Sequence, residues 1–278
     1  MEIRIEIVGN RVIYKQDGKE AASVSVADFL TCVAGQSDNY LLPEAIPEGV
    51  SFIRRCGDAV VLVIEEKPQL RTVRWLTDDS PAPYGPKAIY RTARLAFPFV
   101  VIIVALRNGS LTGHQQCFYR TAPLQHLSDP LCYPNLYNVA NGYGQSCWLC
   151  LANMKKDLSS LSWEEKVREI RRHVWGAGFN QSSEVHEGMS YWQTMRRIDS
   201  RVSSLAAWEK ESKKDPFFPL GVKWQPLGKT VGEVIGETLS GVARAAPPTS
   251  APELAQLITL APGRGSSRKW LFLSGSEK

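Results

Sequence analysis

Cys147 and Cys150 stand three positions apart in Tyr133–Cys150, "YPNLYNVANGYGQSCWLC", which also holds a Tyr133-Pro134-Asn135 turn, Asn138, Asn141, Gly142 and Gly144. Three chemistries fit such groups. A Cys-x-x-Cys pair can bring two thiolates to one zinc ion. A cysteine delivered by a polar, glycine-bearing loop can act as a nucleophile. Cysteines flanked by leucines can also be small buried hydrophobes.

Zinc needs two further ligands, and Cys117, Cys132, His114 and His126 are the candidates nearest in sequence. They form no second close pair, so no metal is expected. Cys150, between Leu149 and Leu151, reads as a buried thiol. Cys147 differs in its approach, "NVANGYGQS", and in Trp148-Leu149, which can anchor the chain just after it. That arrangement suits a thiol held at a surface. His114 after a hairpin turn and His126 in a proline-bounded loop are candidate bases, with solvent exposure as the simpler alternative.

The elements that must position this stretch follow from its flanks. "IRIEIVGNRVIYKQDGKEA" alternates and turns, which predicts an N-terminal hairpin, followed by a short helix around Val26–Cys32. Beyond the proline-marked link "LLPEAIPEGV", strands are expected at Ala59–Glu65, Leu70–Leu76, Phe99–Arg107 and Gln115–Arg120, the last two joined at Asn108-Gly109. Rich in Val and Ile, they read as an antiparallel meander with Phe99–Leu106 as its buried centre. Residues 121–150 show neither period and read as a long ordered loop.

The period then becomes helical. Ser162 and Glu165 form a capping box before Trp163, Val167, Ile170 and Val174, and Tyr191, Met195, Ile198, Val202 and Leu205 continue a second apolar stripe. From about residue 226 the composition turns to Pro, Gly, Ser and Ala, which predicts a flexible tail. The expected organisation is a hairpin extension over 1–45, one domain over 46–225 and a tail over 226–278.

The 278 residues can bury a full core, with 44% apolar and 22% charged residues. A formal charge of +5 spread over the chain does not announce nucleic acid, and "RGSSRK" near the end reads as a solvated tail. Six scattered cysteines do not form a secreted disulfide framework, which favours a reducing cytoplasm. The longest apolar run, Leu95–Leu106, includes Pro98 and is shorter than the ~20 residues of a membrane helix.

A meander, an ordered loop with a Tyr133-Pro134-Asn135 turn, a single cysteine followed by Trp148-Leu149, and then helices resemble the order of parts in the ubiquitin-conjugating (UBC) superfamily. The closest likeness is to its bacterial branch from plasmid and mobile-element operons, in which Asn-Val, a few residues, Gly and then Cys stand where "NVANGYGQSC" stands here. The resemblance implies an α+β, UBC-like four-stranded antiparallel meander with C-terminal helices. It implies a ubiquitin-like modifier carried as a thioester on Cys147 and transferred to an amine. Asn138 or Asn135 would supply the oxyanion donor, with an Asx-turn as the alternative use of either. Tyr133, Pro134, Gly142, Gly144 and Trp148 would support the loop.

Tyr133 replaces the family's usual histidine, and the spacing to Cys147 favours Asn138 over Asn135. The implied partners are the modifier and an adenylating activating protein, with a deconjugating metalloprotease as a third, and no cofactor, membrane or nucleic acid. The alternatives are an inactive scaffold of the same fold and a zinc-binding or nucleic-acid accessory protein of a mobile element.

Overall fold

The computed structural model describes residues 3–27, 29, 46–56, 59–151 and 154–243. The apolar run becomes β8 (Phe99–Arg107), buried from Val100 to Leu106. A strand with no polar face has to lie inside a sheet and be covered on both faces. β8 accordingly pairs with β5 (Ala59–Glu66) on one side and β9 (Ser110–Arg120) on the other. Asn108 and Gly109, both at positive φ, make the tight turn between β8 and β9.

The sheet continues through β4 (Val50–Cys56) beyond β5, and through β12 (Gln145–Leu149) and β11 (Val139–Gly142) beyond β9. β10 (Pro130–Cys132) and β14 (Pro226–Thr230) complete its eight strands, β10 pairing with both β9 and β14. Helix α5 (Val231–Ala243) follows β14, lies against β5, β8 and β9, and buries Val231, Val234, Ile235, Leu239 and Val242. The part of the expected tail at 226–243 is thus strand and helix, because its apolar residues recur at helical spacing among the small ones.

β6 (Gln69–Leu76) leaves this sheet. It pairs with β7 (Tyr90–Phe97) and, in parallel, with the short β13 (Gly178–Phe179). The inner side of this second sheet centres on Trp75, 1% exposed, whose ring lies 4.9 to 6.1 Å from those of Tyr137, Phe179, Trp192 and Trp208. Aromatic burial of this extent dominates local energetics, and truncating a buried tryptophan typically costs ~3–5 kcal/mol.

Helix α1 (Trp163–Gly176) begins at the expected capping box, with Ser162 and Glu165 bonded reciprocally, and buries Val167, Ile170 and Val174. Its Arg171 and β6's Arg71 both pair with Glu66, each at 2.5 Å. A short helix α2 (Ser182–His186) precedes the second helical stripe, which breaks into α3 (Tyr191–Met195), a 3₁₀ turn at Ser200–Val202 and α4 (Leu205–Lys214). Two caps inside the periodic stretch cause the breaks. Asp199 accepts from the Arg201 N–H, and Ser204 accepts from the Ala207 N–H.

At the N-terminus, β1 (Ile3–Val8), β2 (Arg11–Gln16) and β3 (Lys19–Ser25) form a three-stranded sheet where a hairpin was expected. Asp17 and Gly18, both at positive φ, turn the chain into the additional strand. Val12 and Tyr14 are buried there against Ile5, Val24, Val26 and Phe29. Most of the expected Val26–Cys32 helix, the start of the proline-marked link and residues 244–278 lie outside the described residues.

This topology overturns the resemblance to the ubiquitin-conjugating superfamily. The described strands form sheets of three, eight and three, and two segments read as neighbours in one meander, β5 and β6, lie in different sheets. The four-stranded UBC-like fold is therefore wrong for this chain. The conjugating-enzyme activity, the thioester carrier and the inactive scaffold of that fold all lose their basis. The physical reason is β7, whose Arg/Thr alternation hides a strand that captures β6. Over β5, the long apolar β8 offers better burial.

Candidate functional site

Within Tyr133–Cys150, where a loop was expected, Val139–Leu149 form a hairpin. β11 and β12 are joined by Tyr143 and Gly144, both at positive φ (51° and 73°), the geometry of a two-residue type I′ turn. Ala140 pairs with Trp148 and Gly142 with Gln145, so Asn141 faces both Ser146 and Cys147. This is a β-bulge. Cys147 absorbs it at φ 59°, a left-handed conformation that costs a non-glycine residue ~1–2 kcal/mol.

The Cys147 thiol is consequently inside the protein, at 0% exposure. Burial, and then the neighbouring Cys117, push its pKa well above the ordinary thiol value, and a hydrogen bond with Tyr191 offsets this only in part. The thiol is protonated at neutral pH and shielded, the opposite of an activated nucleophile. Cys117 is likewise fully buried and raised by burial. The half-buried Cys132 is raised by burial too. Cys150 lies 3.8 Å from the Ser182 hydroxyl.

The other residues singled out from the sequence fall around this core. Tyr133 packs its ring 4.8 Å from Tyr191, which ties it to the Cys147 neighbourhood. Pro134 is buried beside it. Asn135 is fully buried, and its amide nitrogen and oxygen have no partner among the described residues. Asn138 is a clamp. Its Nδ2 donates to the Gly178 carbonyl at 3.2 Å, its Oδ1 accepts from the Asn180 N–H at 2.9 Å, and its own carbonyl accepts from the Cys150 N–H at 2.8 Å. The amide is thus bonded on both sides to β13 and its continuation, the work of a structural clamp.

Gly142 is needed for close approach, since a Cβ there would come within 3.0 Å of Glu187 Cγ. Gly144 supplies the turn. Trp148 bonds the Gly113 carbonyl through Nε1 at 3.1 Å and supports the Tyr143 ring at 4.8 Å. His114 is half-buried with its pKa lowered by burial, its ring packed against Gly241 of α5. His126 is exposed. Among the described residues no group of three or more His, Cys, Asp or Glu could hold a metal ion, which removes the support for the zinc-binding alternative.

A different surface emerges where the hairpin tip meets the helices. The α2–α3 connection lies across β11, through an Ala140–Ser190 bridge and the Trp192 N–H donating to the Leu136 carbonyl at 3.0 Å. Tyr191 Oη donates to Asn141 Oδ1 at 2.6 Å. The His186 ring lies tilted at 5.5 Å from that of Tyr84 in the β6–β7 loop, and the Gln181 N–H bonds the Pro83 carbonyl. Three separate segments thus present large apolar side chains to solvent: Tyr84 (39% exposed), Tyr143 (70%), and Val185 and Met189 (54% and 67%). Met189 also lines an open depression of about 710 Å³, together with Glu184, Gln193, Thr194 and Arg197.

No family model, curated protein or solved structure matches this chain. Function must therefore be argued from the geometry.

Sequence reasoning missed this surface because its residues are scattered over more than a hundred positions and belong to no motif. The available signal was Tyr143 between two glycines, an aromatic at a hairpin tip, where burial is hard to arrange. Chemically the surface offers exposed apolar and aromatic contacts, one guanidinium and one carboxylate, with no thiol or imidazole aimed into the depression. Clustered large apolar side chains of this kind mark interaction sites. No described helix is long and apolar enough to cross a membrane.

Proposed function

We propose that this chain is a non-catalytic binding module whose surface at the β11–β12 tip and the α2–α3 connection takes a short apolar segment of a partner protein. The observation that carries the reading is the exposure of Tyr84, Tyr143, Val185 and Met189 on segments that meet around α2, with Tyr84 against His186, Tyr143 bonded to Glu187, and Met189 lining the open depression. Isolated exposed apolar residues are ordinary, whereas a cluster drawn from three segments is not. Its mouth is open, which suits a peptide laid across it better than an enclosed small molecule. The scaffold beneath is tied down by the Ala140–Ser190 bridge, the Tyr191–Asn141 hydrogen bond and the Trp148–Gly113 hydrogen bond, so little ordering is needed on binding.

Within this reading the partner segment places an apolar side chain against Met189 and Tyr143 and a hydrogen-bonding group against Gln193 and Thr194. A cytoplasmic setting accompanies it, supported by the free thiols of Cys117, Cys132, Cys147 and Cys150.

The test is selection of displayed random peptides on the intact chain, with counter-selection on a Met189→Asp, Tyr143→Ser variant. Enrichment of peptides with a shared apolar anchor that fail to bind the variant supports the module. Selected peptides that bind the variant equally well, or a wild-type chain that dimerises through this patch in sedimentation, contradict it.

A further inference from the structure

β6 and β7 carry the same short pattern, Arg71-Thr72-Val73-Arg74 and Arg91-Thr92-Ala93-Arg94. Their antiparallel register sets Thr72 opposite Arg94, Val73 opposite Ala93 and Arg74 opposite Thr92. Side chains alternate across a strand, so the two patterns share their faces. Val73 and Ala93 point inward and are buried, while Thr72, Arg74, Thr92 and Arg94 are exposed. The outer face is a checkerboard of two arginines and two threonines.

The first arginine of each pattern has a carboxylate from its own chain. Arg71 pairs with Glu66 at 2.5 Å and Arg91 with Glu209 at 2.7 Å. The second has none. Arg74 lies over the Tyr90 ring at 4.9 Å, and the Arg94 guanidinium has no hydrogen bond or ion pair among the described residues. Next to Arg74 across the sheet stands Gly178, whose missing side chain makes room for the Tyr90 ring under the guanidinium. A Cβ there would come within 2.6 Å of Tyr90.

The edge of β7 is closed to strand addition. Glu209 and Ser212 of α4 accept from the Arg94 and Ala96 N–H groups, and Trp208 Nε1 donates to the Ala96 carbonyl. A partner can therefore use only the face.

We propose that this face binds an extended acidic segment of a partner polypeptide, with carboxylates on alternate residues seated on Arg74 and Arg94. Arg74 and Arg94 are diagonal neighbours across the strand pair, a spacing of ~7–8 Å. Alternate residues of an extended chain lie ~6.6 Å apart on one side, so two such carboxylates reach both guanidinia. Arginine can grip a carboxylate bidentately, as Arg172 does at Glu169 through Nε and Nη2, and the adjacent Thr72 and Thr92 hydroxyls add donors. This site is separate from the apolar surface and does not depend on it.

The experiment uses fluorescein-labelled Asp-Ser-Asp-Ser-Asp-Ser-Asp-Ser, a peptide of the same composition with its four aspartates in one block, and a single-stranded oligonucleotide. Anisotropy is read with the full chain and with its Arg74→Glu, Arg94→Glu variant. Thermal melts confirm that the exposed substitutions leave the fold intact. The alternating peptide is expected to bind, to weaken steeply with salt, to lose at least tenfold in affinity in the variant, and to bind several-fold more tightly than the block peptide. Met189→Asp should leave this binding unchanged, which separates it from the peptide-module reading. Equal binding by wild type and variant, equal binding of the two peptides, or preference for the oligonucleotide over both would overturn the proposal.

Discussion

Tyr191 Oη donates to the side-chain oxygen of Asn141 at 2.6 Å, joining the start of α3 to the one residue of β11 that faces the Cys147 bulge. The same phenol lies against the Cys147 thiol, and its own pKa is raised, first by burial. Helix, strand and thiol are thereby joined in a buried site. Its consequences can be measured.

Cys147 should resist alkylation in the folded protein. With its thiol buried and its pKa well above the ordinary value, it stays protonated through pH 7–9, and only the thiolate attacks. Peptide mass spectrometry after brief iodoacetamide treatment at pH 8 should find Cys132 and Cys150, both half-buried, modified ahead of it. Denaturant should abolish the difference. Fast native labelling at Cys147 would restore it as a candidate nucleophile.

Asn138→Ala should destabilise the chain by ~1–3 kcal/mol, because the buried Gly178 carbonyl and Asn180 N–H lose their side-chain partner. Asn138→Asp keeps the acceptor for Asn180 but sets a buried carboxylate oxygen against the Gly178 carbonyl, and should cost at least as much. Urea denaturation midpoints decide it. A variant as stable as the wild type would show that the clamp contributes nothing.

What the residues revealed in advance, and what they did not, follows from how local each signal is. β5, β8 and β9 were legible because long apolar runs bounded by turns have few other uses, and α1 because Ser162 and Glu165 announce its start within four residues. The partner of β6 was not legible, since pairing is decided between distant segments and β7 looks polar until its Arg/Thr face is seen to be the outer one. Near Cys147, Gly144 makes the turn while Gly142 lies in the strand before it. Whether a thiol beside a turn faces in or out depends on a bulge of one residue, and no local composition reports that. The exposed cluster of Tyr84, Tyr143, Val185 and Met189 exists only in three dimensions.

Stability should carry a pH dependence from Glu65. Burial raises its pKa, although the carboxylate accepts from the Leu124 N–H at 2.6 Å. A raised carboxyl means that the folded state holds its proton more tightly than the unfolded state. Its contribution is therefore full below the ordinary carboxyl value and is lost as pH rises through the raised one. Asp199 works in the opposite direction, held low by its hydrogen bonds from Arg201. The informative quantity is the difference between Glu65→Gln and wild type. Gln keeps an acceptor for Leu124, so the variant's relative stability should increase from pH 4 to pH 7. A constant difference across that range would contradict the account.

The central claim is that the surface around Met189 and Tyr143 binds a partner segment. Its most direct measurement is calorimetric titration of a peptide selected on the wild-type chain into the wild type, Met189→Asp and Tyr143→Ser, with Arg94→Glu as the control on the other face. The account predicts binding to the wild type and to Arg94→Glu with the same affinity, and at least tenfold weaker binding to Met189→Asp and Tyr143→Ser at unchanged melting temperature. Affinity that is the same in all four proteins would contradict it.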